Sequence, residues 1–233
     1  HLAGTNLFAK RWNDSFKNEV LKSRRMSTKN LVDAIKSCNN KPQVFISASG
    51  VGYYGDCGDT ILDEASSAGN DFLAEVCKVW EDESKRVEDA GVRSVQIRTG
   101  LVLSTEDGAL KQMLPPFKFF IGGPLGKGKQ WASWLHIEDI IGIYLQAIDS
   151  TELIGAVNAA SPNPVRMKEF ANTLGNVLHR PSLFPVPKLV LRLVIGEAAE
   201  VVTASQRVDV QKLLHSGFKF KFDFIKEALK DLL

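Results

Sequence analysis

The sequence predicts an α/β fold in which long helices cover a parallel β-sheet, and three observations predict it. Strand-like runs at 44–46 and 92–98 flank a helical stretch of about twenty residues, the strand–helix–strand rhythm that a parallel sheet requires. Apolar residues within the helical stretches recur at helical spacing. Three strand ends, Ala3-Gly4, Ser47-Ala48-Ser49-Gly50 and Arg98-Thr99-Gly100, are small and polar, and ligands of such sheets bind beyond the carboxyl ends of the strands.

The elements follow in order. His1-Leu2-Ala3-Gly4 has no initiator Met and no targeting pattern. It reads as the last residues of a strand running into a glycine turn, with the earlier part of the sheet expected upstream. From Asp14 to Ser37, Phe16, Val20, Leu31 and Ile35 recur among lysines and arginines, which gives an amphipathic helix N-capped by Asn13 or Asp14. Pro42 punctuates, and Val44-Phe45-Ile46 is a buried strand. Ser47–Ser67 reads as a loop rich in Gly, Ser and Asp. A second helix runs from about Asp71 to Ala90, with Phe72, Leu73, Val76, Trp80 and Val87 on one side. Gly91 ends it, and Val92–Arg98 is the next strand. A parallel sheet of these strands alone would leave an exposed edge.

After Gly100 the texture changes. Gly122–Gly128 is dense in glycine and precedes Trp131-Ala132-Ser133-Trp134-Leu135-His136. Ile137–Ile148 reads as a short helix, Ala156–Ala159 as a strand and Arg166–Leu178 as an amphipathic helix. Pro181, Pro185 and Pro187 set off a tail of two or three small helices plus an alternating strand, Phe218-Lys219-Phe220-Lys221-Phe222.

Composition excludes several classes. The 233 residues are 44% hydrophobic and 24% charged, with a formal net charge of +2. That is ordinary for a globular protein. The dispersed basic residues argue against a nucleic-acid partner, and no apolar run is long enough to span a membrane. Cys38, Cys57 and Cys77 are odd in number and lack metal-ligand spacing, so reduced thiols in a cytoplasmic compartment, and no metal, are expected.

Four motifs then carry a family resemblance: His-Leu-Ala-Gly at 1–4, Phe-Ile-Ser-Ala-Ser-Gly-Val-Gly-Tyr-Tyr-Gly at 45–55, Gln-Ile-Arg-Thr-Gly-Leu-Val-Leu at 96–103 and Trp-Leu-His-Ile-Glu-Asp-Ile at 134–140. In this order they resemble the landmarks of extended short-chain dehydrogenase/reductases. More narrowly, the chain resembles an atypical, epimerase-like subfamily of the NAD-dependent epimerase/dehydratase superfamily that adds a small C-terminal domain. Val201–Leu233, with Ser205-Gln206-Arg207 and Ala228-Leu229, is similar to that domain. The resemblance implies the C-terminal part of a Rossmann-like sheet. Residues 1–184 would form an incomplete dinucleotide-binding domain with a substrate region interleaved at about 101–135, and residues 185–233 the small domain. It implies a nicotinamide dinucleotide, NADP(H) rather than NAD(H), with the phosphate-binding turn and the residue that reads the ribose 2′ position upstream. Ala3 and Gly4 would lie near the adenosine, Ser47, Ala48 and Ser49 beside the nicotinamide ribose, and Arg98, Thr99, Gly100 and Leu101 around the nicotinamide. It also implies a homodimer paired through helices 14–37 and 71–90, although both helices carry many charges and a monomer stays open.

One departure matters as much as the match. The superfamily uses Tyr-x-x-x-Lys on the helix after the serine loop, where one helical turn lets the ammonium lower the phenol pKa. No Tyr-x-x-x-Lys occurs in this sequence. Four residues are candidates to fill the gap. Ser49 matches the catalytic hydroxyl. Tyr53 and Tyr54 place phenols that either reach substrate or cap the pocket. Lys78 is off the dyad's face and reads more naturally as a solvated lysine. Trp131 and Trp134 wall a substrate pocket or belong to the core, and His136 either joins that pocket or starts the following helix. The glycine-rich 122–128 stretch lacks the strand-to-helix context of a phosphate cradle and reads as a lid or hairpin. The sequence thus points to an NAD(P)-dependent oxidoreductase or epimerase-like enzyme of unknown substrate. A non-catalytic NADP(H)-binding regulatory or interaction protein that lost the dyad is the competing reading.

Overall fold

The computed structural model describes residues 1–233. Helix α1 (Asp14–Ser37) begins where the Asn13 side chain accepts the Phe16 N–H at 2.8 Å, which settles its cap. Its buried face is Phe16, Val20, Arg24, Thr28 and Val32, a four-residue stride with two polar members. Strand β1 (Val44–Gly50) runs four residues past the expected Ile46, so Ser47, Ala48 and Ser49 are strand rather than loop. A short 3₁₀ turn (Val51–Tyr54) and β2 (Ile61–Leu62) follow. Helix α2 (Phe72–Lys85) is capped by Asp71, whose carboxylate accepts the Ala74 N–H at 2.9 Å. It tightens into a 3₁₀ turn at Arg86–Ala90 before Gly91, at φ 74°, reverses the chain. Left-handed backbone of this kind favours glycine.

Strand β3 (Arg93–Thr99) is central, flanked in parallel by β1 and by β7 (Gly155–Ala159). Between β3 and β7 come β4 (Leu101–Leu103), α3 (Ala109–Lys118), β5 (Trp131–Ala132), β6 (Trp134–His136) and α4 (Ile137–Asp149). The chain continues through β8 (Val165–Arg166), α5 (Met167–Leu178), α6 (Lys188–Ile195), α7 (Ala199–Thr203), β9 (Arg207–Val208), α8 (Gln211–His215) and α9 (Ile225–Leu232). Along the free edge of β1, the His1 carbonyl accepts the Ala48 N–H at 2.9 Å, and the His1 amino group donates to the Ile46 carbonyl at 2.7 Å. The first residue therefore lies as a parallel neighbour of β1.

Helices α1 and α2 cover one face of the sheet, and α4 covers the other. Side chains alternate along β3, so Val95 and Ile97 join Ile140, Ile143 and Ala147 in an apolar core. The opposite row, Ser94, Gln96 and Arg98, faces α2 and is equally buried. An alternating strand of this kind usually has one wet face. Here the polar face is dry because α2 meets it with Glu81 and Ser84 rather than water. The inward turn of α1 spends its apolar stripe inside the chain, leaving Met26 and Leu31 as its exposed large apolar residues.

A second core forms away from the main sheet, where α3, α5 and α9 enclose Leu110, Phe117, Trp134, Phe170 and Leu229. The C-terminal segment is tied back to the body by β2 and β9, which pair in parallel through Ile61–Arg207 and Leu62–Val208. Phe218–Phe222 is not the expected strand. No sheet edge meets it, and the Asp139 carboxylate accepts the Lys221 and Phe222 N–H groups at 2.7 and 3.2 Å. Its alternation is real but serves two cores, because Phe218 and Phe220 pack beside α4 whereas Phe222 enters the second core. The 122–128 stretch is pinned against 184–186 by backbone bonds, among them Val186 N–H to Pro124 carbonyl at 2.9 Å. No helix is long and apolar enough to cross a membrane.

Candidate functional site

The carboxyl ends of β1 and β3 open into a cleft of about 380 Å³. Ser49, Gly50 and Gly52 form one side, and Thr99, Gly100 and Leu101 form the opposite side. The apolar face of α2, with Leu73, Val76, Cys77 and Trp80, closes the back, and Val201, Val202, Ala204 and Gln206 close the front. Small residues at the strand ends are what let a flat ligand approach the backbone. Gly100 has a further reason. A Cβ there would stand 2.1 Å from the Ser133 carbonyl oxygen, the same oxygen that accepts the Leu101 N–H at 2.7 Å.

Beneath the cleft lies a buried polar network. Arg98 grips Glu81 through two bonds, Nε to Oε1 and Nη2 to Oε2, both 2.8 Å, and the two side chains are 3% and 1% exposed. Arg98 Nη1 also donates to the Tyr54 hydroxyl at 3.0 Å, and that hydroxyl donates to Asn158 Oδ1 at 2.7 Å. Glu81 Oε1 accepts in addition from Ser49 Oγ at 2.7 Å. Such a pair is tolerable in the interior only when every remaining donor and acceptor is met, and here nearly all are. The consequence for Ser49 is directional. Its proton is committed to Glu81, so toward the cleft it offers lone pairs and accepts hydrogen bonds.

The sequence candidates separate accordingly. Ser49, Thr99, Gly100, Leu101 and Trp131 come together around the cleft. Ser47 is fully buried within β1, its hydroxyl bonded to the Ala48 carbonyl, and Ala48 points to the other face. Ala3 and Gly4 are exposed and lie outside any regular element, not in the expected turn, and only Gly4 reaches the cleft wall, through its packing on Arg24. Arg98 does not reach the cleft, because Glu81 and the phenols occupy its guanidinium. Tyr54 is 1% exposed, and burial, opposed by Arg98, pushes its phenol up to about 12. The Tyr53 ring lies 3.4 Å from Arg98 Cζ and edge-on to Tyr54. Neither phenol lines the cleft, so the structure turns both from reaching groups into supports. Lys78 is exposed on the outer side of α2.

The aromatic and histidine candidates also move. Trp134 is fully buried in the second core, where its indole N–H donates to the Asn163 carbonyl at 3.0 Å. His136 caps α4, its Nδ1 accepting the Glu138 N–H at 3.1 Å, with its ring 3.9 Å from that of Phe222. Burial holds His136 below the usual imidazole range, as a neutral capping group requires. Trp131 stays half-exposed, clasped between Arg166 and Arg207 at 4.1 and 4.5 Å.

Sequence reasoning missed Glu81, Cys77 and Arg24. The only signal for Glu81 was its spacing. Ala74, Cys77, Glu81 and Ser84 share the face of α2 that lies closest to the sheet, and three of the four are small. On the face toward the cleft, Leu73 and Cys77 stand one turn apart, the separation at which the resemblance would place Tyr and Lys. Burial, with the Glu81 charge adding, pushes the Cys77 thiol up to about 11, so it is neutral near pH 7.

Two larger hollows, of about 1010 and 1310 Å³, lie elsewhere. The first runs beside Trp131 and α9, and the second is walled by Lys127, Lys129, Lys168 and Lys188. Neither reaches the ends of β1 and β3. No cluster of His, Cys, Asp and Glu could hold a metal ion.

Comparison with known proteins agrees with this architecture. The model for the family described as Domain of unknown function (DUF1731) matches residues 186–232. Over its whole length the chain is 40% identical to the epimerase family protein SDR39U1 homolog, chloroplastic, of Arabidopsis thaliana, covering 67% of that protein. It is 36% identical, again over its whole length, to the epimerase family protein YfhF of Bacillus subtilis, covering 77% of it. Among solved structures it is similar to the human epimerase family protein SDR39U1 (isoform 2) with NADPH, at a TM-score of 0.94 and 33% identity over 99% of this chain and 79% of that one. UDP-N-acetylglucosamine 4-epimerase from Bacillus cereus shares the fold at a TM-score of 0.76 and 16% identity, over 100% of this chain and 76% of that one.

Proposed function

This chain belongs to the epimerase family of short-chain dehydrogenase/reductases, and we propose on that premise that its cleft binds a nicotinamide dinucleotide, NADP(H) in preference to NAD(H). The cleft at the ends of β1 and β3 is the observation that carries the reading, supported by the likeness to a family protein solved with NADPH. Its residues suit the group. The strand ends present backbone and small side chains to a flat ring, and Ser49 presents an acceptor to a hydroxyl or amide. In this reading residues 1–184 carry the cleft, 101–135 its substrate side, and 185–233 a small unit that closes it through Val201, Val202 and Ala204. A homodimer through α1 and α2 would rest on their charged outer faces with Met26 and Leu31. The unpaired cysteines suit a reducing, cytoplasm-like compartment.

NADPH, when bound, supplies a hydride. The chain's own groups supply little proton chemistry beside it. The Ser49 proton is held by Glu81, Cys77 is a thiol well above its ordinary pKa, and both phenols of the loop are withdrawn. A general acid works best with a pKa near the operating pH, and no cleft residue has one. The reading is therefore a slow reductase of carbonyls or activated alkenes that takes its proton from solvent. The same observation favours, as the second reading, a protein that binds NADPH without turnover.

Thermal denaturation with NADPH, NADP⁺, NADH and NAD⁺, on the protein carrying these residues together with the phosphate-binding turn expected upstream of His1, tests the proposal. A ligand at about 100 times its Kd stabilises by about 2.7 kcal/mol, or roughly 5–10 °C for a chain of this size. We expect that rise with the phosphorylated cofactors and less than half of it with the others. Equal shifts for all four would refute the NADP(H) preference, and no shift with any would refute the dinucleotide. NADPH binding with no oxidation across a carbonyl and enone panel would select the second reading.

A further inference from the structure

The structure holds one cation in the cleft wall that nothing in the chain neutralises. Arg24 sits in the middle of α1, on its buried face, and is 8% exposed. Its Nη1 donates to the Thr5 and Val20 carbonyls at 3.1 and 3.4 Å, Nε is buried without a partner, and no carboxylate forms an ion pair with it. The guanidinium lies 4.8 Å from the centre of the Trp80 ring, and both residues line the cleft together with Cys77. The backbone at Gly4 packs closely on it, since a Cβ on Gly4 would stand 2.9 Å from Arg24 Cζ.

This arrangement contrasts with Arg98, which is also buried but has a bidentate carboxylate. Arginine keeps its charge in proteins, and a buried charge without a partner is expensive to hold. Two carbonyls and an indole face meet only part of that demand. A purely structural clamp for the Thr5 carbonyl would not require a full charge, because a neutral donor could serve it.

We propose that Arg24 is an anion-binding residue of the cleft, its guanidinium receiving an anionic oxygen, a phosphate or a carboxylate, of the molecule bound there. The Trp80 ring and the Gly4 backbone both pack against the planar group, so that it meets a ligand with little reorganisation. The shared chemistry has two sources, a phosphate of the dinucleotide or a carboxylate of the substrate. The inference rests on the cleft proposed above being a ligand site, but inorganic anions report on Arg24 even if no dinucleotide binds.

The test is a titration of the full chain with pyrophosphate, oxalate and NADPH, read by tryptophan fluorescence and by the Arg24 Nε–H signal in ¹⁵N NMR. Pyrophosphate or oxalate should give saturable changes in both signals. Arg24→Gln should weaken that binding about 10- to 100-fold, the range for losing a charge-assisted contact, whereas Arg24→Lys should retain part of it. If the cofactor supplies the anion, Arg24→Gln also weakens NADPH by a similar factor. If the substrate supplies it, NADPH affinity is unchanged while oxalate binding to the NADPH complex is lost. The proposal is overturned if the wild-type Nε–H signal is unmoved by all three ligands, a measurement that needs no variant to fold. It is equally overturned if folded Arg24→Gln binds all three as the parent does.

Discussion

Replacing Glu81 with glutamine should destabilise the fold by about 3–5 kcal/mol, the usual cost of stripping a buried ion of its partner. The side chain is 1% exposed and accepts three hydrogen bonds from Arg98 and Ser49, two from the guanidinium and one from the hydroxyl. Glutamine keeps the shape but loses the charge and turns one acceptor into a donor facing Arg98. The loss should appear as a fall in the urea midpoint with an unchanged m-value, and as roughly 10 °C in Tm. Removing both ions, with Glu81→Met and Arg98→Met together, should recover more than half of the loss, because two apolar side chains leave no orphaned charge. The Lys10–Glu19 pair on the surface provides the contrast. Its side chains are 65% and 50% exposed, and Lys10→Met should change stability by less than about 0.5 kcal/mol. A Glu81→Gln variant as stable as the parent would remove the network from the account.

Gly100→Ala should be the second severe change. The new methyl would have to occupy space 2.1 Å from the Ser133 carbonyl oxygen and 3.4 Å from that of Ala159. Both are backbone atoms already engaged, with the Leu101 and Gly100 N–H groups at 2.7 and 2.9 Å. Overpacking of this kind costs about 1–3 kcal/mol when side chains can yield, and more when they cannot. We expect about 3 kcal/mol by urea denaturation and at least about a tenfold loss of NADPH affinity, as the β3–β4 corner shifts. Gly50→Ala, on the facing side of the cleft, is the control. Its methyl meets nothing closer than 3.7 Å, so stability should change by less than about 1 kcal/mol. Equal costs at the two glycines would mean that the corner is more pliable than its bonding indicates.

Much of the main sheet was legible in the sequence because its signals were local. Asn13 and Asp71 announce their helices by side-chain capping, and Gly91 ends the second by its left-handed backbone. The cleft was half legible. Ser49, Thr99, Gly100 and Leu101 were found because strand ends and small residues coincide there. Glu81 and Arg24 were not, since a charged residue in an amphipathic helix reads as solvated until the helix's partner is known. The phenols of Tyr53 and Tyr54 misled for a related reason. Their loop position is exposed in sequence terms, but Arg98 draws both rings inward. Phe218–Phe222 shows the limit of periodicity itself, because alternation follows from two cores on opposite sides as readily as from a sheet.

The most direct test of the dinucleotide reading is a crystal structure with NADPH of the protein carrying these residues together with the phosphate-binding turn expected upstream of His1. The nicotinamide ring should lie in the cleft between Ser49 and Leu101, with Ser49 Oγ accepting a hydrogen bond from the ligand and Glu81 still holding the Ser49 proton. NADPH seated instead in the lysine-walled hollow around Lys127 and Lys168, with the cleft at the ends of β1 and β3 empty, would contradict it.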